Sequence, residues 1–371
     1  MKMLIAGDLA VLNEEYNSGS IDNNVRELFR SSDFNIVNLE APVTDCDEKI
    51  LKTGPHLKGS KKGTIDVLQA LNVRLVTLAN NHILDYGEKG LKDTLDFVKK
   101  HNIDRVGGGV NNEDASRIFY LETDEGRIAV INFAENEWAS AGETSAGSNP
   151  MDLIENVNQI REAKKNADFV LVIIHGGHEY YNLPSPQIQK RYRFYADEGA
   201  DIVISHHTHC VSGFEIHNGV PIYYSLGNFL FTKQSKKHDW YTGLIVEINI
   251  VEGKLEADYH IVEQEQNSFA LSLVSGSSAE ALNDRIYKYS QQILSRQSLG
   301  EAWENYKEES KTNTLRYWSP NIFIKNRYLR SFLYKIGMTW LNKDGVKVYL
   351  NMIRCESHLD LSREIFKDYV K

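Results

Sequence analysis

The chain has 371 residues, 42 Lys+Arg against 51 Asp+Glu for a formal charge of −9, 42% hydrophobic and 10% aromatic residues, and only seven prolines. That length excludes a small stapled scaffold and suits one large domain with an appendage, or two domains, while the composition excludes a disordered chain. Three scattered cysteines, Cys46, Cys210 and Cys355, are too few and odd in number for a disulfide framework and fit a reducing compartment.

In chain order, Met1–Asp8 carries an apolar run too short for a signal-peptide core or for the roughly 20 residues of a membrane span. It reads as a first strand, and the expectation is a cytoplasmic chain, soluble or peripheral to the membrane. Short β-branched runs then alternate with amphipathic stretches of helical length, the pattern of an α/β domain with helices outside buried strands. Strands are predicted near 2–7, 35–39, 74–79, 128–133, 169–174 and 201–205. Helices are predicted near 22–30, 64–71, 88–100, 152–165 and 186–198, the last opened by Ser185 as N-cap with Pro186 at the first helical position. Asn218-Gly219 and Glu252-Gly253 mark two hairpins, over 214–220 and 243–262. Beyond residue 265 the strand signal fades, and Ser277-Ser278-Ala279-Glu280 offers a capping box ahead of Leu282, Ile286, Tyr289 and Ile293.

These features divide the chain into an α/β domain over 1–265 and a mainly helical, basic region over 266–371. Residues 1–270 carry a net −14 and residues 271–371 a net +5. Within the tail, 311–347 holds eight basic residues and one acidic residue, interleaved with Trp318, Phe323, Tyr328, Phe332, Tyr334 and Trp340. Packing of these aromatics into a satellite core is the plainest reading. The alternative is peripheral contact through 311–347 with an anionic membrane or a synthase complex. No nucleic-acid module is visible, and the attached domain is acidic.

Metal-competent side chains stand where predicted strands end: Asp8, Glu40, Asn80-Asn81-His82, His175 and His206-His207-Thr208-His209. In an open α/β sheet, ligands bind beyond the carboxyl ends of strands, so five strands deliver such groups to one edge. Alone, Asp8 or Glu40 reads as a cap acceptor, His175 as a buried histidine on a carbonyl, and Asn80-Asn81 as a turn. Their joint occurrence points to a site. Carboxylate, amide and imidazole donors suit two divalent transition-metal ions such as Mn, Fe or Zn, and ions about 3.5–4 Å apart clamp a phosphoryl group and generate hydroxide at neutral pH. Glu40 is the candidate bridge between them. Gly107-Gly108-Gly109 lacks the lysine and the spacing of a nucleotide loop.

The blocks Ala6-Gly7-Asp8, Asn38-Leu39-Glu40-Ala41-Pro42, Ala79-Asn80-Asn81-His82, His175-Gly176-Gly177-His178-Glu179, His206-His207-Thr208-His209 and Tyr224-Ser225-Leu226-Gly227-Asn228-Phe229 resemble the CapA family of poly-γ-glutamate capsule biosynthesis proteins. That family is similar in fold to the calcineurin-like metallophosphoesterases. The resemblance covers roughly 3–250 and implies an αββα sandwich with a helical C-terminal region. It implies one metal on Asp8, Glu40 and His209, and a second on Glu40, Asn81, His175 and His207. His82 would protonate the leaving oxygen, with Asp85 orienting it and favouring the imidazolium. Lys52, His56, Glu179, Ser225 and Asn228 are expected to read an anionic polymer or a phosphate-bearing substrate, although the Lys52–Lys62 segment reads equally as a solvated basic loop. Two departures stand out. Asp8-Leu9-Ala10 lacks the histidine of the metallophosphoesterase Asp-x-His, and the bridge is Glu where those enzymes usually have Asp.

The function expected is a metal-dependent, phosphoesterase-like hydrolase serving capsule or surface-polymer production. The alternatives are a non-catalytic assembly or binding protein of a polymer-synthesis complex, and an amide or glycan hydrolase using the same metals.

Overall fold

Strand β1 (Lys2–Ala10) is apolar on both faces, Met3 and Ile5 pointing one way and Leu4 and Ala6 the other, all buried. That pattern belongs to a strand covered on both sides. In the computed structural model, which describes residues 1–354 together with 358, 359, 361, 362, 365 and 366, two sheets supply the covering. Cys355 lies outside the described residues. The first sheet runs β16 (Leu271–Leu273), β15 (Lys254–Gln264), β14 (Thr242–Val251), β1, β2 (Phe34–Leu39), β3 (Val73–Thr77) and β4 (Asp104–Val106). β14 pairs with the first half of β1, and β13 (Asn228–Phe231) pairs in parallel with its second half. The second sheet runs β11 (Phe214–His217), β12 (Val220–Tyr223), β10 (Ile202–His206), β9 (Phe169–His175), β7 (Gly126–Ala134) and β6 (Phe119–Thr123). A two-residue ladder, β5 (Gly108–Gly109) with β8 (Gly147–Ser148), stands beside them.

One core lies between the sheets: Met3, Ile5, Ile36 and Leu75 of the first meet Val130, Leu171, Ile173, Ile202 and Ile204 of the second. The opposite face of the first sheet, Leu4, Leu9, Val37 and Val76, is covered by α1 (Asn23–Arg30), α2 (Lys61–Ala70) and α3 (Gly87–Lys100) through Phe29, Leu68, Leu91 and Val98. α5 (Leu153–Asn166) packs against β7 and β9, and α6 (Pro186–Asp197) against β10 and β12. The short α4 (Asn112–Ala115) sits by β5. The result is the expected αββα sandwich, and burying both faces of both sheets explains why so many strands are apolar throughout.

Local signals account for the connections. Ser185 caps α6 by accepting from the Ile188 N–H, with Pro186 at its first turn. Asn218-Gly219 and Glu252-Gly253 have positive φ at both central residues, the primed turns of two-residue hairpins. The capping box at 277–280 does not form. α7 (Gly276–Leu294) begins earlier, after Ser275, without a side-chain cap, so Ser277 lies inside its first turn.

The chain forms two compact units, Met1–Leu299 and Gly300–Lys371. The boundary expected at 265/266 falls inside the first, because β16 adds an edge to the sheet and α7 buries Ile286 and Ile293. The second unit contains most of α8 (Arg296–Trp318), then α9 (Arg327–Lys335) and α10 (Lys343–Arg354). Trp318 meets the Tyr349 ring, and buried Ser319 and Asn321 bond the carbonyls of Thr339 and Met338. Its other large apolar side chains are mostly exposed, so the satellite core is only partial.

Candidate metal centre

The site begins at an irregularity in β1. Opposite β2, Ala6 pairs with Val37 and Asp8 with Asn38, so Gly7 is an inserted bulge residue. A Cβ on Gly7 would lie 2.1 Å from the Gly227 carbonyl oxygen, which receives the Asp8 N–H at 3.1 Å. Only glycine admits this approach, and the bulge re-aims Asp8 at the carboxyl end of the strand.

Asp8 is fully buried. Asn38 Nδ2 donates to its Oδ1 (2.6 Å) and the His207 N–H to its Oδ2 (3.1 Å). Its carboxylate faces three imidazoles: His175 Nδ1 at 3.8 Å, His206 Nδ1 at 3.9 Å and His209 Nδ1 at 3.7 Å. Glu40, just past β2, lies with Oε1 3.7 Å from His209 Nε2 and 4.0 Å from His82 Nε2. Asp8, Glu40 and His209 thus bring one ligand atom each within 4.8 Å of one another. On the other side, His175 Nε2 lies 3.1 Å from Asn81 Oδ1 and 3.0 Å from His207 Nδ1.

Electrostatics match a cation. Burial raises the Asp8 carboxyl to about 7 despite the Asn38 and His207 donors. Glu40 is pushed well above its ordinary range by burial first, then by Asp8, Glu179 and Asp85. Burial lowers His207 to about 3 and His209 to about 4, and His175 falls well below its usual value through burial and the surrounding histidines. These imidazoles are therefore neutral at pH 7, the form that ligates. Both carboxylate oxygens of Glu40 are buried without a hydrogen-bond partner among the described residues. Such an orphaned pair is costly unless a positive group completes it. The donor set fits a divalent metal.

Neighbours orient the ligands. Asn228 Oδ1 accepts from His209 Nδ1 (2.9 Å) while its Nδ2 donates to the Trp240 carbonyl (2.9 Å), leaving Nε2 to face Glu40. Ser225 Oγ takes bonds from Thr208 Oγ1 and the Gly227 N–H, so it braces the histidine loop. Tyr180, His207 and His209 all hold left-handed backbone, φ +63°, +92° and +54°. Three non-glycine residues in that region around one cluster is strain of the kind that surrounding structure must enforce.

His82 and Asp85 are brought together as expected: His82 Nδ1 lies 2.7 Å from Asp85 Oδ2, which also receives the Leu57 N–H at 2.6 Å. The expected imidazolium is not favoured, because burial outweighs Asp85 and lowers the His82 pKa, and the Lys52 ammonium lowers it further. Lys52 was expected to read substrate, but its side chain is 2% exposed, paired with Asp85 Oδ1 and 3.2 Å from His82 Nδ1. His56, expected beside it, turns its Nε2 to the Ile50 carbonyl (2.8 Å). Glu179 is exposed, and its charge is felt at Glu40.

Sequence reasoning missed several contributors. Asn38 bonds Asp8 and stands 3.3 Å from His175 Nδ1, and a polar residue inside the apolar run Ile36–Leu39 was its signal. His206, singled out in the sequence with its neighbours but given no ligand role, is buried with neither ring nitrogen bonded among the described residues. Glu137 comes within 3.7 Å of His207 Nε2 from a loop that carried no motif.

The sequence profile of a family described as bacterial capsule synthesis protein PGA_cap matches residues 3–233. A PGA biosynthesis protein CapA of Bacillus subtilis is 37% identical over 227 residues, covering 59% of this chain and 58% of that protein. A capsule biosynthesis protein CapA of Bacillus anthracis is 33% identical over 246 residues, covering 62% and 60%. The match thus spans about three-fifths of each relative. Among solved structures, a hypothetical protein from Thermus thermophilus aligns with TM-score 0.49 at 15% identity, over 71% of this chain and all of that one.

Proposed function

The chain belongs to the bacterial capsule synthesis family PGA_cap, and from that premise we propose that it is a metal-dependent hydrolase, acting on a phosphate ester, that serves capsule or surface-polymer production. The observation that carries the reading is the buried Glu40 carboxylate, orphaned between neutral imidazoles and opposite Asp8. Asp8, Glu40 and His209 would hold one ion; Glu40, Asn81, His175 and His207 would hold a second. Two bound divalent ions supply positive charge for a phosphoryl oxygen and lower the pKa of water.

The chain's own groups do the rest. Asn38 and the His207 N–H fix Asp8, and Asn228 fixes the ring of His209. His82 Nε2 faces Glu40, while its Nδ1 is tied to Asp85, the carboxylate that Lys52 also pairs with. Burial keeps this imidazole neutral in the free protein, and an arriving phosphate, by its negative charge, favours the protonated ring. His82 then delivers a proton from Nε2 to the leaving oxygen. The partner we propose is an anionic polymer or a phosphate-bearing precursor of one.

The test is turnover of phosphomonoesters and phosphodiesters by the Mn- or Zn-loaded protein. His82→Ala is expected to lower kcat by about 10²–10⁴-fold. Bound metal without turnover of either ester class would contradict the phosphoesterase reading, and amide or glycan hydrolysis would then be assayed. One observation favours a second, non-catalytic assembly role. Ala10 stands at the histidine position of Asp-x-His and is packed among Ala41, Leu57, Phe231 and Trp240, so no side chain there can ligate. Polymer production sustained by His82→Ala and His207→Ala chains would support that role.

A further inference from the structure

We infer that the second unit carries a docking surface for an anionic lipid membrane, formed by α9, α10 and the Pro320–Phe323 turn. On α9, positions separated by helical spacing gather Tyr328, Leu329, Phe332, Leu333 and Ile336 on one side and Arg327, Arg330 and Lys335 on the other. α10 repeats the division, with Val348, Tyr349, Met352 and Ile353 on the side away from Lys343 and Lys347. A helix segregated this sharply ordinarily buries its apolar side. Here Tyr328 is 72% exposed, Phe332 57% and Phe323 84%, and Leu329, Ile336, Trp340, Leu350 and Ile353 are exposed as well.

Charge names the occupant. Residues 311–347 carry eight basic side chains and only Asp344 as an acid. Lys311 and Lys347 are paired with Glu308 and Asp344, whereas Lys325, Arg327, Arg330, Lys335 and Lys343 have no ion-pair partner among the described residues. A protein partner for the apolar faces would need acids to match these bases; a leaflet of anionic lipid offers negative headgroups directly above a hydrocarbon layer. Basic residues flanking exposed Trp, Tyr, Phe and Leu suit that boundary. No helix among the described residues is long and apolar enough to cross a membrane, so the contact is interfacial. This inference is independent of the metal centre and of the hydrolase reading.

The test is flotation of the full chain with vesicles of phosphatidylcholine alone and of phosphatidylcholine mixed with phosphatidylglycerol. The chain should float with the anionic vesicles, less so as salt is raised, and stay behind with the neutral ones. Arg327→Gln with Arg330→Gln should lower partitioning about 25-fold, near fivefold per basic residue. Phe323→Ser with Phe332→Ser should lower it at least about tenfold; all four side chains are on the surface, and unchanged circular dichroism would show the fold intact. Failure to float, equal recovery on neutral vesicles, or indifference to the Phe variants would overturn the inference. So would a vesicle-free dimer that Phe332→Ser dissolves, which would make a second copy the occupant.

Discussion

Replacing Lys52 by Met removes the cation from a pocket in which Asp85 is fully buried. Asp85 keeps the Leu57 N–H and the His82 ring as partners, but no longer faces a full positive charge. At an effective dielectric near 20 the lost attraction is about 5 kcal/mol for charges roughly 3 Å apart, and breaking buried pairs typically costs about 3–5 kcal/mol. Part of the loss is recovered because Met has no ammonium to desolvate, so about 3 kcal/mol is expected. The assay is urea denaturation followed by fluorescence. Adding Asp85→Asn, which discharges the pocket but keeps an acceptor for the Leu57 N–H, should make the double variant more stable than Lys52→Met alone. A cost under about 1 kcal/mol, the worth of an exposed pair, would refute the pairing.

Three further outcomes follow from the geometry. Glu247 is pushed up by burial, but bonds from Lys2, His260 and Asn249 outweigh this and hold it at about 2. Because its folded pKa is depressed, its stabilisation is full above about pH 4.5 and is lost as pH falls toward 2; Glu247→Gln should cost about 2–3 kcal/mol at pH 7, and denaturation series down to pH 3 should show the gap shrinking. Gly7→Ala, whose Cβ would strike the Gly227 carbonyl, should destabilise by about 3 kcal/mol and reduce metal content, since overpacking forces backbone shifts; a wild-type midpoint and metal content would contradict the bulge's role. With Asp8 raised to about 7 and Glu40 raised well above its ordinary range by burial, while His207 and His209 stay neutral, loading metal at pH 6 should release at least about one proton from the carboxyls. Calorimetry in buffers of different ionisation enthalpy measures this, and no release would show both carboxyls already ionised.

Much of this was legible in the sequence for a physical reason: strands covered on both faces write themselves as apolar runs, and their ends are marked by the first polar residue. Asp8, Glu40, His175 and the 206–209 histidines stood out on that account, and the structure brings them together. What was not legible depends on long-range placement. β13 is four residues running parallel beside the end of β1, after β14 has left it, and nothing local distinguishes Asn228–Phe231 from a loop. Lys52 lies in a segment whose composition suits solvent, yet Asp85, 33 positions later, draws it inside. The Ser277 capping box was a correct pattern in the wrong place, because α7 starts at Gly276. In the tail, helical spacing was readable, but only exposure distinguishes a partly buried aromatic such as Tyr334 from an open one such as Phe323.

The central claim is that the buried cluster beneath Asp8 and Glu40 is a metal site. The most direct measurement is elemental analysis of the purified chain, under conditions that do not strip metal, beside Asp8→Ala and His207→Ala variants. The account predicts about two transition-metal ions per chain, reduced in both variants. No metal in the native chain, even after Mn and Zn are supplied, would contradict it.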